Sequence, residues 1–358
     1  MNKILFIISD LELGGTQRVL INIANHFSKT YRIVILTLYD KKKTDTKISS
    51  NVKIKSLKVK ISTSFFKKIF DYIRLIKLIK KSIRDINPTK IFSFLNTTNI
   101  IVILSSFGFL NKLVISERND LNKQRIPIIW KLLRFITYNF PSKVSANSKN
   151  CILQLEKFVS KKKLIYLPNI LSTQNKKNNA KKKKIFLAVG RLTYQKGFDK
   201  LIYSFKESKL YEKGWKLIIL GEGRDELNLK KLVKEKKLEK LVIFYGFRRN
   251  IFDYYNKSRI FVLSSRYEGM PNSLLEAISC NIPTIISDSV KAPLFFLKDG
   301  HSCITYKNQN TLDLAKKMNL LASNNKLQKK ISLNAFGLIK REFSQKRVLK
   351  IWSDLINK

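Results

Sequence analysis

Histidine is nearly absent from the 358 residues: His26 and His301 are the only two, so mechanisms that need a histidine pair or a three-histidine metal site have no material. Cysteine is scarce as well. Cys151, Cys280 and Cys303 are odd in number and far apart, with no CxxC. That removes a disulfide scaffold and a zinc ribbon, and it suits a reducing compartment. Acidic residues are the third shortage: Asp and Glu total 25 against 71 Lys and Arg, a formal net charge of +46. Long apolar runs are missing too. The run after Lys3 meets Asp10 and Glu12 at once, so no signal peptide is expected. Ile91–Asn111 carries no charge, but Asn96-Thr97-Thr98-Asn99 interrupts it. The pattern predicts a buried strand, a loop and then a helix, not a membrane span.

What is present is enough for real cores. Hydrophobic residues make up 44% and aromatic residues 11%, which excludes disorder, and the length argues for two α/β domains. The positive charge has three readings. It attracts nucleic acid without sequence preference, it attracts an anionic membrane surface, or it is a Lys-, Ile- and Asn-rich drift in composition. Lysine is spread along the whole chain, which favours drift first and membrane attraction second.

Apolar runs alternate with helical periods. Candidate strands lie at 4–9, 32–38, 52–57, 91–95, 113–117, 144–147 and 164–168, with helices such as Thr16–Phe27, Phe65–Ile86 and Ile128–Tyr138 between them. Residues 172–184, STQNKKNNAKKKK, are polar and cationic and read as a linker. The alternation then restarts, with strands at 185–189, 216–220, 242–246, 260–264, 284–287 and near Ile304. The expected fold is α/β: two doubly wound, Rossmann-like parallel-sheet domains facing a cleft. The first covers 1–171 and the second 185–343, with a last helix over 344–358.

Three strand-end features in the second half converge on a phosphorylated, sugar-bearing ligand. Gly190-Arg191 ends one strand and Lys196 follows in the loop; a planar guanidinium with a point charge suits a diphosphate. Glu268-Gly269-Met270-Pro271-Asn272 forms a turn into a helix that carries Glu276. One carboxylate there is placed for a sugar ring and the other for ribose hydroxyls. Opposed carboxylates acting as in a glycosidase fit this spacing less well than two groups side by side on one ligand. Gly246-Phe247 ends a third strand, where backbone atoms would meet a nucleobase. Gly221-Glu222-Gly223 lacks the later glycine of a dinucleotide fingerprint and the GK[ST] of a P-loop. Gly14-Gly15 after the first strand also lacks dinucleotide spacing.

The order GGTQRVLINIANHF, ISERND, VGRLTYQKGFDKLI, LIILGEG, VIFYGF and SRYEGMPNSLLEAISCNIPTIISD resembles family 4 glycosyltransferases of the GT-B fold, in the exopolysaccharide, capsule and lipopolysaccharide branch. The resemblance spans essentially the whole chain, and its closing FSQKRVLKIWSDL resembles the helix that in the family packs back on the first domain. It implies a retaining, metal-independent hexosyl transfer from a nucleotide sugar, usually UDP-linked, with no cofactor beyond that co-substrate. It implies that Arg191 and Lys196 hold the diphosphate, that Glu268 with the Gly269–Asn272 backbone holds the donor sugar, and that Glu276 holds ribose. Gly14 and Gly15 would approach the diphosphate on closure. The sequence departs from the family at three places. Glu117, Arg118 and Asn119 stand where relatives carry a histidine, Ala292-Pro293-Leu294-Phe295 replaces a G-P-x-E turn, and Cys303 replaces a common glycine.

The first domain is expected to take the acceptor, a glycan or a polyprenyl-diphosphate-linked sugar, with Glu117, Arg118 and Asn119 as candidates beside it. Arg18 is read as a solvated helix residue. Phe65–Ile86 and Gln124–Tyr138 mix apolar residues and aromatics with Lys67, Arg74, Lys77, Arg125, Lys131 and Arg134. Such helices fit an anionic membrane surface at the cytoplasmic, inner face; each is otherwise an ordinary domain helix. Two other functions stay open, a basic nucleic-acid-binding protein and a GT-B nucleotide-sugar epimerase. No recognised nucleic-acid module is present.

Overall fold

The computed structural model describes residues 2–12, 14–39, 46–124, 126–171 and 182–357. The chain divides into two compact units, Met1–Asn169 with Val348–Lys358, and Ile170–Arg347. Arg125 and linker residues 172–181 lie outside the described residues; Lys183 and Lys184, the last two of the expected linker, are in a strand.

In the first unit the chain runs β1 (Lys3–Ile8), α1 (Gly15–Phe27), β2 (Arg32–Thr37), β3 (Val52–Ser56), α2 (Phe65–Ile86), β4 (Lys90–Phe94), α3 (Asn96–Ser105), β5 (Leu113–Glu117), α4 (Ile128–Thr137), β6 (Lys143–Ala146), α5 (Lys149–Leu155) and β7 (Leu164–Tyr166). The seven strands form one parallel sheet in the order β3-β2-β1-β4-β5-β6-β7. β1 reads KILFII and is buried from Ile4 to Ile8, as a strand covered on both faces must be. Successive side chains point to opposite faces. Leu5, Ile7, Ile91 and Ile115 join the core under α2 and α3. Phe6 points the other way, and its ring lies 5.4 Å from that of Phe92. Trp352 closes this second face, with ring centroids 6.2 Å from Phe6, 5.0 Å from Phe92 and 6.4 Å from Phe94.

One local expectation is corrected here. Asn96–Asn99 is not a loop but the opening turn of α3, entered through Leu95 at φ 76°. Asn96 and Asn99 are buried. Asn99 Nδ2 donates to the Ser116 carbonyl at 3.1 Å and Asn96 Nδ2 to Glu117 Oε1 at 3.2 Å. The polar residues that read as a break are spent on strand β5.

The second unit runs β8 (Lys183–Val189), α6 (Phe198–Ser208), β9 (Lys216–Leu220), α7 (Glu226–Glu235), β10 (Val242–Phe244), α8 (Ile251–Lys257), β11 (Ser258–Leu263), α9 (Asn272–Ser279), β12 (Thr284–Ser287), β13 (Ile304–Tyr306), α10 (Thr311–Ser323) and α11 (Asn325–Glu342); α12 (Gln345–Asn357) follows. Its six parallel strands are ordered β10-β9-β8-β11-β12-β13. Alternation again divides the core. Phe186, Ala188, Leu217 and Ile260 face one layer, while Leu187, Ile218, Phe261 and Ile286 face the other.

Candidate active site in the second unit

From β8 the chain winds outwards through β9 to β10, then returns to β11 on the other side of β8 and winds away through β12 to β13. The strand order therefore reverses between β8 and β11. In open parallel sheets the ligand crevice lies at the carboxyl ends of the strands at such a reversal. The loop after β8 holds Gly190, Arg191 and Lys196, and the loop after β11 holds Glu268 to Asn272. The topology brings together residues some seventy positions apart in the chain.

These two loops are stitched by hydrogen bonds. Arg266 N–H donates to the Gln195 carbonyl at 2.7 Å, and Ser264 Oγ donates to the Lys196 carbonyl at 2.8 Å. Lys196 Nζ lies 2.5 Å from Glu268 Oε1, with both side chains largely buried. The same carboxylate accepts from Ser265 Oγ at 2.9 Å, and its Oε2 from Gln195 Nε2 at 3.4 Å. The lysine stem passes over Gly190, where a Cβ would meet Lys196 Cε at 2.7 Å. Gly197 sits at φ +65° with the Ser264 carbonyl 2.3 Å from where a Cβ would stand. Arg191 is exposed on the same loop. The site thus offers one cation fixed by a carboxylate and one free to reach solvent.

Beneath it lies a support that the sequence reading missed. Arg266 is buried, and its guanidinium makes a two-pronged contact with Asp199 at 3.0 and 2.7 Å. It also donates to the Tyr194 carbonyl at 2.5 Å and stacks over the Tyr194 ring, 3.9 Å from its centroid. Burial works against the charge of Arg266, but Asp199 outweighs it and holds the guanidinium pKa above its ordinary value. Arg266 and Asp199 each carried a weak signal, a charge beside a motif, with nothing local to pair them.

Glu276 is buried on α9. Tyr255 Oη donates to Glu276 Oε2 at 3.1 Å and shares the proton with the Ser273 carbonyl, also at 3.1 Å. Gly269, Met270 and Pro271 are buried and Asn272 is half-buried, with Pro271 capping α9 and no side-chain hydrogen bond at the cap. The third strand end is more occupied than expected. Phe247 N–H donates to Glu222 Oε1 at 3.2 Å, and the Gly246 carbonyl accepts from Gly221 N–H at 2.9 Å. Gly221, set aside for its spacing, is the knot between strands: at φ +132° its Cβ would stand 2.0 Å from the Gly190 carbonyl oxygen.

The first-unit candidates are placed differently. Gly14 caps α1 in extended backbone and Gly15 opens the helix, with Arg18 half-buried one turn on. Both glycines follow β1, beside the reversal between β1 and β4 in the first sheet. Glu117 and Arg118 are buried and Asn119 is half-buried. Glu117 accepts a short hydrogen bond from Tyr138 Oη. Arg118 Nη1 donates to Asn169 Oδ1 at 2.8 Å, with the guanidinium 5.4 Å from the Phe94 ring centroid. Their observed partners are internal to the unit.

Burial raises the Glu117 pKa, while Tyr138, Arg134 and Asn96 pull the other way without cancelling it. A raised folded value means that the folded state holds the proton longer than the unfolded chain. Stability therefore falls as pH rises from the ordinary carboxyl range through the folded pKa. Glu117→Gln keeps an oxygen for the hydrogen bonds from Tyr138 and Asn96 and removes that fall, about 1.4 kcal/mol for each unit by which the pKa is raised. Urea denaturation at acid and at neutral pH reads the difference; a variant that loses stability between them as steeply as the parent refutes the assignment.

The family of group 1 glycosyl transferases matches residues 170–337, nearly all of the second unit. Over that span the sequence is that of a group 1 glycosyl transferase, and relatives that match along the whole chain are glycosyltransferases. The chain is 28% identical over 360 residues, covering 99% of this glycosyltransferase and 98% of the relative, to the Campylobacter jejuni α-1,4-N-acetyl-D-galactosaminyltransferase named for a GalNAc-GalNAc-diNAcBac-PP-undecaprenol. Among solved structures it is similar to Staphylococcus aureus TarM in a complex with UDP, at TM-score 0.83 and 14% identity over 100% of both chains. It is likewise similar to Anabaena HepE with UDP, at TM-score 0.80 and 15% identity over 99% of both. At these identities the structural likeness is one of fold, and the fold is GT-B.

Proposed function

We propose that this glycosyltransferase moves a hexosyl group, with retention of anomeric configuration, from a UDP-linked sugar to a glycan or polyprenyl-diphosphate-linked acceptor in bacterial surface polysaccharide synthesis. The Lys196–Glu268 pair at the strand reversal of the second sheet carries the reading. The bond from the anomeric carbon to the diphosphate breaks, and a bond to an acceptor hydroxyl forms on the same face. The departing diphosphate takes up the hydroxyl proton and the negative charge. Lys196 and Arg191 stabilise that charge where it develops, which is where fixed cations lower a barrier most. No metal ion or further cofactor is assigned a part. Glu268, held by Lys196 and Ser265, faces the sugar with the Gly269–Asn272 backbone; Glu276, set by Tyr255, takes the ribose.

UDP in the TarM and HepE complexes supports the donor, and the undecaprenol-linked substrate named for the Campylobacter relative supports the acceptor. The proposed location is the inner face of the cytoplasmic membrane; a lipid-linked acceptor supports the membrane part of that reading. The test is a screen of UDP-sugars against soluble and lipid-linked acceptors. Nucleotide release is followed, product anomeric configuration is read by NMR, and turnover is repeated with a chelator. An inverted product, or turnover abolished by the chelator, overturns the corresponding part. Donor consumed with no acceptor product points to an epimerase instead.

Glu276→Gln in this assay is expected to raise the KM for the donor about tenfold, with kcat changed far less. A group that binds ribose equally before and during transfer contributes uniform binding only. A change confined to kcat contradicts the ribose assignment.

A further inference from the structure

Two helices of the first unit turn their apolar residues outwards. Every residue from Thr63 to Phe70 is exposed, including Phe65, Phe66 and Phe70, each more than 70% exposed. The buried residues of α2, Leu75, Ile79, Ser82 and Ile83, all lie from its middle onwards. α4 packs only Trp130 and Leu133 of its apolar residues partly on the core; it buries Arg134 and Thr137 and exposes Ile128, Ile129, Leu132, Phe135 and Ile136. A helix packed on a soluble core does the opposite. The ring of Trp130 meets that of Tyr72 edge-on at 5.3 Å, so α2 and α4 touch there, and both carry outward apolar residues. Exposed apolar surface on this scale marks a binding face.

Charge decides the occupant. Lys67, Lys68, Arg74, Lys77 and Lys131 on these helices are exposed. The acid beside them, Asp71, is engaged by the Ser62 N–H at 2.8 Å. A second copy docking through the same patch in a two-fold dimer would set these cations against their own counterparts, and like charges across an interface are repelled. An anionic bilayer accepts both features: rings and aliphatic groups enter the headgroup boundary while lysines reach up to lipid phosphates.

We infer that α2 and α4 together form the surface by which this chain lies on an anionic membrane, with Phe65, Phe66, Phe70, Leu132 and Phe135 inserted. The inference gives a physical face to the membrane location in the proposed function. It is tested without donor or acceptor, so either can fail alone.

The full chain is floated with vesicles of phosphatidylcholine, with and without phosphatidylglycerol. Binding is expected only with phosphatidylglycerol, and it weakens as salt is added. Phe66→Ser with Phe70→Ser, and separately Leu132→Ser with Phe135→Ser, should each lower partitioning at least about tenfold, a modest part of the transfer energy of two such side chains. Lys231→Gln with Lys234→Gln, exposed on α7 of the second unit, should leave it within about twofold; this separates a defined face from the diffuse pull of the net charge. Brominated lipid should quench Trp130 emission and spare the buried Trp215 and Trp352, a readout that needs no variant. Three outcomes overturn the inference: no binding to anionic vesicles, serine variants that bind as the parent does, or a concentration-dependent dimer that those variants abolish.

Discussion

Lys196→Ala is expected to lower kcat/KM for the donor sugar by about a thousandfold while the chain keeps its fold. Removing one fixed donor from a site that stabilises developing negative charge typically costs about 10²–10³ in rate. Lys196 brings a full charge, which puts the expectation at the upper end. The fold survives because Glu268 is not orphaned: Ser265 Oγ and Gln195 Nε2 still donate to its carboxylate. The loop itself is held by the backbone and by Arg266, not by the lysine side chain. Lys196→Arg separates charge from shape, because a guanidinium is too broad for a stem that already lies against Gly190. It should recover little. Nucleotide release measured across donor concentrations checks this, with a thermal melt on each variant. A loss below tenfold with intact folding removes Lys196 from the chemistry and leaves it a strut for Glu268.

The second large effect is on stability. Gly221→Ala should lower the melting temperature of the second unit by about 10 °C, corresponding to about 3–4 kcal/mol for a domain of this size. Two penalties combine there. The backbone at φ +132° is one that side-chain-bearing residues rarely adopt, and the new Cβ would stand 2.0 Å from the Gly190 carbonyl oxygen. Neither atom can move freely, since Gly190 N–H is bonded to the Leu220 carbonyl and Gly221 N–H to the Gly246 carbonyl. Gly214→Ala is the matched control, with φ +78° and nothing within 4 Å of its Cβ. It bears the backbone penalty alone, about 1 kcal/mol. Equal melting temperatures for the two variants would show that the strand ends can spread without cost.

The sheets were legible because parallel strands buried on both faces leave continuous β-branched and apolar runs, as in KILFII and RIVILT. The candidate site was half legible. Lys196, Glu268 and Glu276 stand in local patterns with few acids nearby to confuse them. Asp199, Tyr255 and Gly221 do not, because what gives each its meaning is a partner in another element or loop: Arg266, Glu276 and Gly190. No window of sequence contains both members. Asn96–Asn99 misled for a related reason, since its amides read as a break until strand β5 is placed beside them. α4 shows a deeper limit. Its mixture of cations and apolar residues has a clear period, yet periodicity says that two faces differ and not which of them turns inwards. Only the buried Glu117–Tyr138 pair, which sets Arg134 to the inside, breaks that tie.

Trp352 bears on the order in which the molecule can be completed during synthesis. The three phenylalanines it covers belong to β1 and β4, made early. The tryptophan itself emerges after every residue of the intervening unit. The older half of the polypeptide therefore waits with an aromatic face uncovered while the younger half assembles, and it is sealed last. A ribosome that stalls in between leaves behind a product whose exposed rings mark it for chaperones and proteases.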